Sequence, residues 1–204
     1  GCSMDELWDL VRTSEQTGMP CMALENCCYD RNEMAILNMI KQGIFGEVVH
    51  VQGGYGHDLR DEISYGRENR HYRLRNYLAR NCDNYPTHDL GPIAKLLNIN
   101  RGNRMLKLTS MASKARGLSA FVQGKEEYAF LQDKQFAQGD VVCTNILCAD
   151  GTLITLKLDT SLPRAYSRQF TVRGTKGAYF EDMDAIYIDG QTDNAEFDAK
   201  KIWD

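Results

Sequence analysis

The second half of this sequence is dominated by short runs in which apolar and polar residues alternate, and this pattern constrains the fold most. Six such runs are typical of β-strands and cover residues 105–113, 140–149, 152–159, 168–174, 177–181 and 185–189. Asp150-Gly151 and Lys176-Gly177 are hairpin-type turn pairs between neighbouring runs. Because strands that are joined by tight turns pair antiparallel, this half predicts a largely antiparallel sheet.

The first half has mixed periodicity. The spacing of its apolar residues predicts helices over 4–18, 31–42 and 88–98, a buried strand over 21–24 and a strand over 48–55. Gly43 follows the second helix, where a glycine commonly ends a helix. Residues 60–84 are charged and aperiodic and predict a long irregular segment.

Together these elements predict an α+β fold: a predominantly antiparallel, open-faced sheet with flanking helices, preceded by a βα remnant of a Rossmann domain. We expect residues 1–45 to be that remnant, the last βα units of a dinucleotide-binding domain. Residues 46–204 would form a substrate-binding and dimerisation domain. The sequence contains neither GxGxxG nor GxxxxGK[ST], so it carries no motif that grips cofactor phosphates.

Charge and hydropathy exclude two classes of partner. The formal net charge is −4, which gives no basic footprint for nucleic acid. No stretch approaches the roughly 20 apolar residues of a membrane span.

Seven cysteines are present, and their odd number argues against a complete disulfide framework. They also form no zinc-type pair of Cys/His doublets. We therefore expect reduced, mostly buried thiols and no metal site.

Three short clusters contain residues that are suited to catalysis. The first is ENCCY at 25–29, the second is GGYGHDLR at 53–60, and the third is NYPTHDLGP at 84–92. Alternation places Tyr55 and His57 on one face of a strand, where the glycines around them allow a close approach by a ligand or another backbone. Thr87 is a candidate N-cap, which puts His88 in the first helical turn, where the helix dipole favours a neutral imidazole that can act as a base.

Each cluster also has a purely structural interpretation. Glu25 fits an exposed strand end, Tyr55 and His57 fit packing residues on a sheet, and His88 fits a helix cap. A solvated basic loop would account for Arg67, Arg70, Arg73 and Arg75. A metal site is possible in residue type for His57, Asp58, Asp61 and Glu62, but its spacing matches no defensible ligand pattern. No glycosidase carboxylate pair can be singled out among 28 acidic residues.

In this order the segments ENCCY, IKQGIFGEVVHVQGGYGHDLR, YRLR, NYPTHDLGPIAKLLNINRG, DTSLPRAYSR and VRGTKGAYFED resemble the Gfo/Idh/MocA oxidoreductase-like superfamily. Within it they resemble glycoside hydrolase family 109, the NAD-dependent α-N-acetylgalactosaminidase type. The resemblance covers residues from about 20 to 181 and implies a redox-neutral glycosidase. In such an enzyme bound NAD oxidises C3 of the sugar, the aglycone leaves C1 by elimination, water adds, and the hydride returns.

The same resemblance implies roles for individual residues. Tyr55 and His88 would be the acid/base pair. The sugar pocket would be lined by Glu25, His57, Arg73, Tyr85 and Tyr166. Glu25, Asn26 and His88 would lie at the nicotinamide ring of NAD.

This sequence departs from the family pattern at three positions. Cys82 and Asp89 stand where family members usually have glycine, and Tyr72 stands where they usually have tryptophan. A carboxylate at Asp89 would crowd the sugar or perturb His88.

Two alternatives stay open: an NAD(P)-dependent sugar dehydrogenase of the same superfamily, and a catalytically dead sugar-binding or interaction domain. Because the GxGxxG half is missing, we expect the 204-residue chain alone neither to bind NAD tightly nor to be active. The partners we expect are a carbohydrate and a second copy of the chain, bound through the open face of the sheet.

Overall fold

The computed structural model describes residues 3–66 and 72–192. Its α-helices are α1 (Met4–Thr17), α2 (Arg31–Lys41), α3 (Arg60–Tyr65), α4 (Tyr72–Ala79), α5 (Thr87–Leu96) and α6 (Gly117–Val122). Two 3₁₀ helices cover Asn26–Tyr29 and Glu126–Leu131. The strands are β1 (Val48–Gly56), β2 (Met105–Ala112), β3 (Val141–Cys148), β4 (Leu153–Asp159), β5 (Thr171–Gly174), β6 (Gly177–Phe180) and β7 (Ala185–Ile188).

The described strands form one seven-stranded sheet in the order β2-β3-β4-β1-β5-β6-β7. Among the described strands only β1 and β4 pair in parallel, with Val51 opposite Ile154, and all other neighbours are antiparallel. Both predicted hairpins form, since β3 pairs with β4 and β5 pairs with β6. The α+β class and the mainly antiparallel sheet are therefore confirmed.

Two hydrophobic clusters cover one face of the sheet. The first joins α2 and α5 to the centre of the sheet and includes Ile36, Val51, Ile93 and Ile154. The second packs α3, α4, α6 and the second 3₁₀ helix over the other end of β1 and β4. Tyr55 belongs to this second cluster. β1 therefore runs from the first cluster, at Val51, to the second, at Tyr55. Its carboxyl end lies at the second cluster.

Alternation is clear along β3, where Val142, Thr144 and Ile146 are buried while Cys143 and Asn145 are exposed. The buried set faces the helices, and the exposed set lies on the face that no described helix covers. The sheet is thus open on one side, as the sequence predicts.

The predicted buried strand over 21–24 is wrong. These residues have no regular structure, and Met22 and Leu24 are 75% and 79% exposed. An apolar run becomes a buried strand only when other strands pair with it, and no described strand lies beside this one. The helix before it forms as α1, with a Ser3 cap at its start and Gly18 in the left-handed conformation at its end, but none of its residues is buried.

The prediction of a long irregular segment over 60–84 is also wrong, because α3 and α4 lie within it. Each is too short for a hydrophobic period to stand out, and tertiary packing of Ile63, Leu74 and Tyr77 stabilises them. The basic-loop interpretation is wrong for Arg73 and Arg75, which lie in helix α4. Arg67 and Arg70 lie outside the described residues.

All six described cysteines are free, as predicted, but they are not mostly buried. Cys27 and Cys148 are buried and Cys28 is partly buried, whereas Cys21, Cys82 and Cys143 are exposed. Cys2 lies outside the described residues. Among residues 3–66 and 72–192, no helix has the length and apolar character that crossing a bilayer requires.

Candidate functional site

A cluster of aromatic, histidine and carboxylate side chains lies at the carboxyl end of β1. Tyr55 is the last large side chain of that strand, and His57 follows it, its backbone N–H donating to the Asp159 carbonyl at the end of the parallel strand β4. The first turn of α5 and the loop before it bring in His88 and Tyr85. The carboxyl ends of parallel strands are a common place for ligands, and the cluster lies at that end of the parallel pair β1 and β4.

Glu25 and His88 form a short polar contact in this cluster. The Glu25 Oε1 atom lies 2.7 Å from His88 Nδ1, and the two side chains are 15% and 19% exposed. Glu25 is also the N-cap of the first 3₁₀ helix, where its Oε1 accepts from the Cys27 N–H at 3.0 Å. Burial by itself would raise the pKa of Glu25, but these two contacts outweigh it and hold that pKa below its usual value.

A glycine makes this approach possible. Gly91 lies on α5 three residues after His88, and a Cβ atom placed on it would lie 2.6 Å from Glu25 Cγ. Any larger residue at position 91 would displace the Glu25 side chain.

Tyr55 is 6% exposed and lies among three other rings. Its hydroxyl is 3.3 Å from His57 Nδ1, and its ring centroid is 5.0 Å from that of Tyr85 and 5.4 Å from that of His88. Burial raises the pKa of Tyr55 to about 12, although the nearby Arg73 charge opposes the shift. The phenol therefore keeps its proton at neutral pH and is available as an acid or a hydrogen-bond donor.

Arg73 and Tyr166 complete the wall of the cluster. The Arg73 guanidinium lies 4.9 Å from the Tyr85 ring centroid and pairs with Glu62 at 2.7 Å. The Tyr166 ring stands edge-on to His57 at 5.1 Å and is 53% exposed, so it forms the outer rim.

The structure therefore brings together seven residues that the sequence singled out: Glu25, Tyr55, His57, Arg73, Tyr85, His88 and Tyr166. Asn26, the eighth, is exposed and directly follows Glu25. Thr87 is not the N-cap of α5, because Pro86 occupies that position without a side-chain cap. His88 still lies in the first turn, as predicted.

The metal site considered for His57, Asp58, Asp61 and Glu62 does not form. Asp58 pairs with Arg60 at 2.7 Å, Asp61 accepts from the Tyr128 hydroxyl at 2.5 Å, and Glu62 pairs with Arg73. These carboxylates therefore face three different partners and do not converge on one point.

The glycines of the second cluster accommodate protein atoms. A Cβ atom on Gly53 would lie 2.6 Å from Asp89 Cβ, and one on Gly56 would lie 2.1 Å from the Arg164 guanidinium carbon. Gly53 thus lets α5 pack closely on β1, and Gly56 accommodates the Arg164–Asp159 ion pair.

One buried and one partly buried carboxyl group lie behind the cluster, and their burial has no signature in the sequence. Asp89 is 3% exposed, and neither of its carboxyl oxygens has a hydrogen-bond partner. Burial, reinforced by the Asp83 charge, raises the pKa of Asp89 to about 8, and burial raises that of Asp83 to about 6. Asp89 packs against Gly53 between α5 and β1, and both of its carboxyl oxygens are buried, so the group does not crowd a sugar from the surface.

Arg168, which is not among the candidates that the sequence indicates, lies near Cys27 and Tyr166. Its guanidinium pairs with Glu33 at 2.6 Å, Asp30 at 3.1 Å and Glu181 at 3.8 Å. Glu33 is buried, and its burial raises the pKa of that carboxyl group while Arg168 opposes the shift. A single arginine at the start of a predicted strand gives no sequence signal of such a group of ion pairs.

The fold resembles part of the chain in several solved inositol dehydrogenase structures. An inositol dehydrogenase homolog from Azotobacter vinelandii, complexed with NADH and myo-inositol, superposes with a TM-score of 0.62 at 15% identity, covering 93% of this chain and 45% of that one. Myo-inositol 2-dehydrogenase from Lactobacillus plantarum gives 0.60 at 13% identity, over 88% of this chain and 47% of that one. At these identities the likeness concerns the fold alone.

Sequence comparison identifies the family. Residues 29–204 match the family described as Glycosyl hydrolase 109, C-terminal domain. The chain is 43% identical to an α-N-acetylgalactosaminidase from Tannerella forsythia, over 98% of this chain and 47% of that protein. It is 39% identical to a glycosyl hydrolase family 109 protein from Stenotrophomonas maltophilia, over 94% of this chain and 46% of that one. The chain therefore belongs to the glycosyl hydrolase 109 C-terminal domain family, which confirms the resemblance, and it spans about half the length of these curated relatives.

Proposed function

We propose that this chain is the sugar-binding part of an NAD-dependent glycosidase that acts on α-N-acetylgalactosaminides. The observation that carries the proposal is the placement of Tyr55 beside His88, with Glu25 against the imidazole, at the carboxyl end of β1. The name of the Tannerella forsythia relative supplies the substrate class.

The sugar would bind in the opening between the rings. Tyr85, Tyr166 and His57 offer faces and edges for the apolar side of a pyranose, while Arg73 offers guanidinium donors for its hydroxyl groups. Glu25, at the base of this opening, accepts hydrogen bonds and is held ionised by its contacts.

The residues present fit the nicotinamide end of NAD but not its phosphates. Asn26 is exposed beside Glu25, and its Nδ2 donates to Cys27 Sγ at 3.8 Å. Its side-chain oxygen would accept from a carboxamide N–H, and His88 completes this polar edge. No glycine-rich phosphate loop occurs in the sequence. When bound, NAD would supply the hydride acceptor for C3 of the sugar.

We assign the proton transfers to Tyr55 and His88. With its Nδ1–H directed at the Glu25 carboxylate, His88 keeps the lone pair of Nε2 for use as a base. Tyr55 keeps its phenolic proton, and His57 is placed to accept it or return it. Once C3 is a ketone, removal of the proton at C2 expels the aglycone from C1. This chemistry needs such bases and donors and not a carboxylate pair.

Activity of the full-length parent tests the proposal. We expect release of p-nitrophenol from p-nitrophenyl α-N-acetylgalactosaminide, and exchange of the C2 proton with solvent deuterium. Tyr55→Phe and His88→Gln should each lower kcat by about 10²–10⁴-fold. Tyr29→Phe is the matched control, because Tyr29 is 67% exposed and lies outside the ring cluster, and its activity should stay at the wild-type level.

The other outcomes identify the alternatives. Net NADH production on free sugars without glycoside cleavage would establish a sugar dehydrogenase. Binding of N-acetylgalactosamine without turnover would establish a sugar-binding domain.

For the 204-residue chain alone we propose weak NAD binding and no turnover, and tight NAD binding in calorimetry would contradict this.

For the domain organisation we propose that residues 1–45 belong to the dinucleotide-binding part and residues 46–204 to the substrate domain. In support, α1 buries no residue and exposes Leu7, Trp8 and Leu10, a face that suits packing against another domain. α2 would join the two parts, since its Ile36 packs into the core of the sheet. Limited proteolysis should cleave before residue 26 first; equal protection of α1 and the sheet would contradict the proposal.

A homodimer through the open face of the sheet is the corresponding proposal for assembly. Cys143 pairs opposite Met111 and Leu147 opposite Leu153 on this face, and Met111 is 79% exposed. Light scattering of the wild-type chain should give a dimer that Leu147→Glu weakens. Met183→Glu, in the β6–β7 turn, is the control. A monomer that persists at every concentration would exclude this interface.

A further inference from the structure

Three different donor groups converge beside the ring cluster. Glu25, Cys27 and His88 each place one potential ligand atom within 4.8 Å of the other two. A carboxylate oxygen, a thiol sulfur and an imidazole nitrogen are the donor types that zinc accepts in proteins. No motif in the sequence indicates this set, because its third member lies on a different helix.

We propose that Glu25, Cys27 and His88 form a binding site for a zinc-type divalent cation, and that occupation of this site switches off the site of the proposed reaction. The proposal of cation binding depends on the geometry of the three donors and not on the proposed function. Only its inhibitory consequence rests on the proposed function.

The first 3₁₀ helix positions two of the donors, Glu25 and Cys27. Glu25 caps the 3₁₀ helix, and Cys27 lies in the first turn of that helix, where its N–H donates to Glu25 Oε1 at 3.0 Å. This bond orients the carboxylate as an outer-shell contact orients a metal ligand. Cys27 is 4% exposed, so its sulfur is a buried donor that water does not readily replace.

The third donor comes from α5, which packs directly on the 3₁₀ helix. A cation would take the place of the proton that now lies between His88 Nδ1 and Glu25 Oε1 at 2.7 Å. Bonds of about 2.0 Å to nitrogen and oxygen and 2.3 Å to sulfur require these atoms to separate slightly and the sulfur to approach. On binding, the Cys27 thiol gives its proton to the buffer, and the imidazole proton moves from Nδ1 to Nε2.

The surrounding charge favours a cation. Arg168 lies close to Cys27 but is already paired with Asp30, Glu33 and Glu181, and Lys95 lies near Cys28. Two cations against these three carboxylates and Glu25 leave the neighbourhood negative.

Three protein donors leave one tetrahedral position free. Glu25 and His88 are 15% and 19% exposed, so this position would open to the cleft and take water or a sugar hydroxyl group. Zinc sites with three protein ligands and an open fourth position are the type that bind small ligands. A cation here would hold His88 Nδ1 and the Glu25 carboxylate, which removes the pairing on which the proposed base depends.

The test titrates the 204-residue chain with ZnCl₂ in calorimetry and with Co²⁺ in absorption spectroscopy. We expect one high-affinity Zn²⁺ per chain, and a thiolate-to-cobalt charge-transfer band. Cys27→Ser should lower the Zn²⁺ affinity by at least about tenfold and abolish the band. Cys28→Ser, at the adjacent and partly buried thiol, is the matched control and should change neither.

Several results would overturn the site. These are equal Zn²⁺ affinity in wild type and Cys27→Ser, a Co²⁺ complex without a thiolate band, or a band lost in Cys28→Ser instead. Should Cys27→Ser fail to fold by circular dichroism, Glu25→Gln replaces it and must also lower the affinity. In the parent, Zn²⁺ should inhibit glycosidase activity and Cys27→Ser should relieve that inhibition. An inactive parent would refute the proposed function while leaving the binding measurement intact.

Discussion

Glu25 Oε1 and His88 Nδ1 lie 2.7 Å apart although their residues are 63 positions apart in the chain. One side chain caps a 3₁₀ helix and the other begins α5, and Gly91 is the residue that lets the two elements approach. This contact lies at the centre of the candidate site, and it organises the imidazole in the proposed reaction.

Gly91→Ala should break the contact between Glu25 and His88. Its Cβ would lie 2.6 Å from Glu25 Cγ, so we expect the carboxylate to move away and the His88 Nδ1–H signal to disappear from the proton NMR spectrum. Alanine favours helix by about 0.5–1 kcal/mol over glycine, so a net loss of stability would measure the clash.

A double-mutant cycle separates this clash from other effects of the alanine. In a Glu25→Ala background Cγ is absent, and the same Gly91→Ala change should then be neutral or stabilising. An equal destabilisation in both backgrounds, measured by urea unfolding, would show that the alanine Cβ does not clash with the Glu25 side chain.

Asp89 should make the free energy of unfolding fall with rising pH. The folded chain holds the Asp89 proton up to about pH 8, whereas an unfolded aspartate releases it near pH 4, so the folded state binds more protons between these values. Stability therefore declines as the pH rises from about 4 to 8, by a few kcal/mol, and the full loss is present above pH 8. Asp83 acts in the same direction up to about pH 6.

Asp89→Asn cannot ionise and should lose most of this slope, so it should exceed the wild type in melting temperature at pH 8 and not at pH 4. The exposed Asp133→Asn is the control and should keep the wild-type slope. Parallel pH profiles for wild type and Asp89→Asn would mean that Asp89 does not hold a proton in the folded chain.

Arg168→Gln should be strongly destabilising. It removes the partner of the buried Glu33 carboxylate and of two further acids, and an uncompensated buried charge costs about 3–5 kcal/mol. Arg12→Gln removes a pair with Asp9 at 3.7 Å whose side chains are 64% and 71% exposed, and it should cost below about 1 kcal/mol. Similar losses in the two variants, by chemical denaturation, would contradict the role given to Arg168.

Two neighbouring positions on β4 should respond very differently to truncation. Ile154 is 0% exposed at the centre of the core, and Ile154→Ala should cost about 2–5 kcal/mol. Leu153 is 40% exposed on the opposite face, and Leu153→Ala should change the stability of the monomer by about 0.5 kcal/mol or less. Comparable losses at concentrations where the chain is a monomer would mean that Leu153 is packed within the monomer.

Local sequence patterns predicted those elements whose own residues show a clear period or a turn motif. The period of two in β3 and β4 and the Asp150-Gly151 turn identified a hairpin that forms as expected. The run over 21–24 failed because its apolar residues have no described strand to pair with. Segments α3 and α4 were missed because short helices depend on the core that they pack against.

Most of the site was identified by residue type and by resemblance, since Tyr55, His57 and His88 occur in recognisable motifs. The buried state of Asp89 and the ion pairs of Arg168 were not predictable, because burial and pairing depend on which elements become neighbours.

The sequence by itself determined the α+β class, the mainly antiparallel sheet, the family and the residue types of the site. These follow from the period of side chains along the backbone, from turn chemistry and from ordered motifs. Only the tertiary structure decided that Glu25 meets His88, that Cys27 lies beside both and that Asp89 is buried under α5. Such contacts join residues far apart in the chain, and the packing of helices on the sheet, which no local pattern encodes, brings them together.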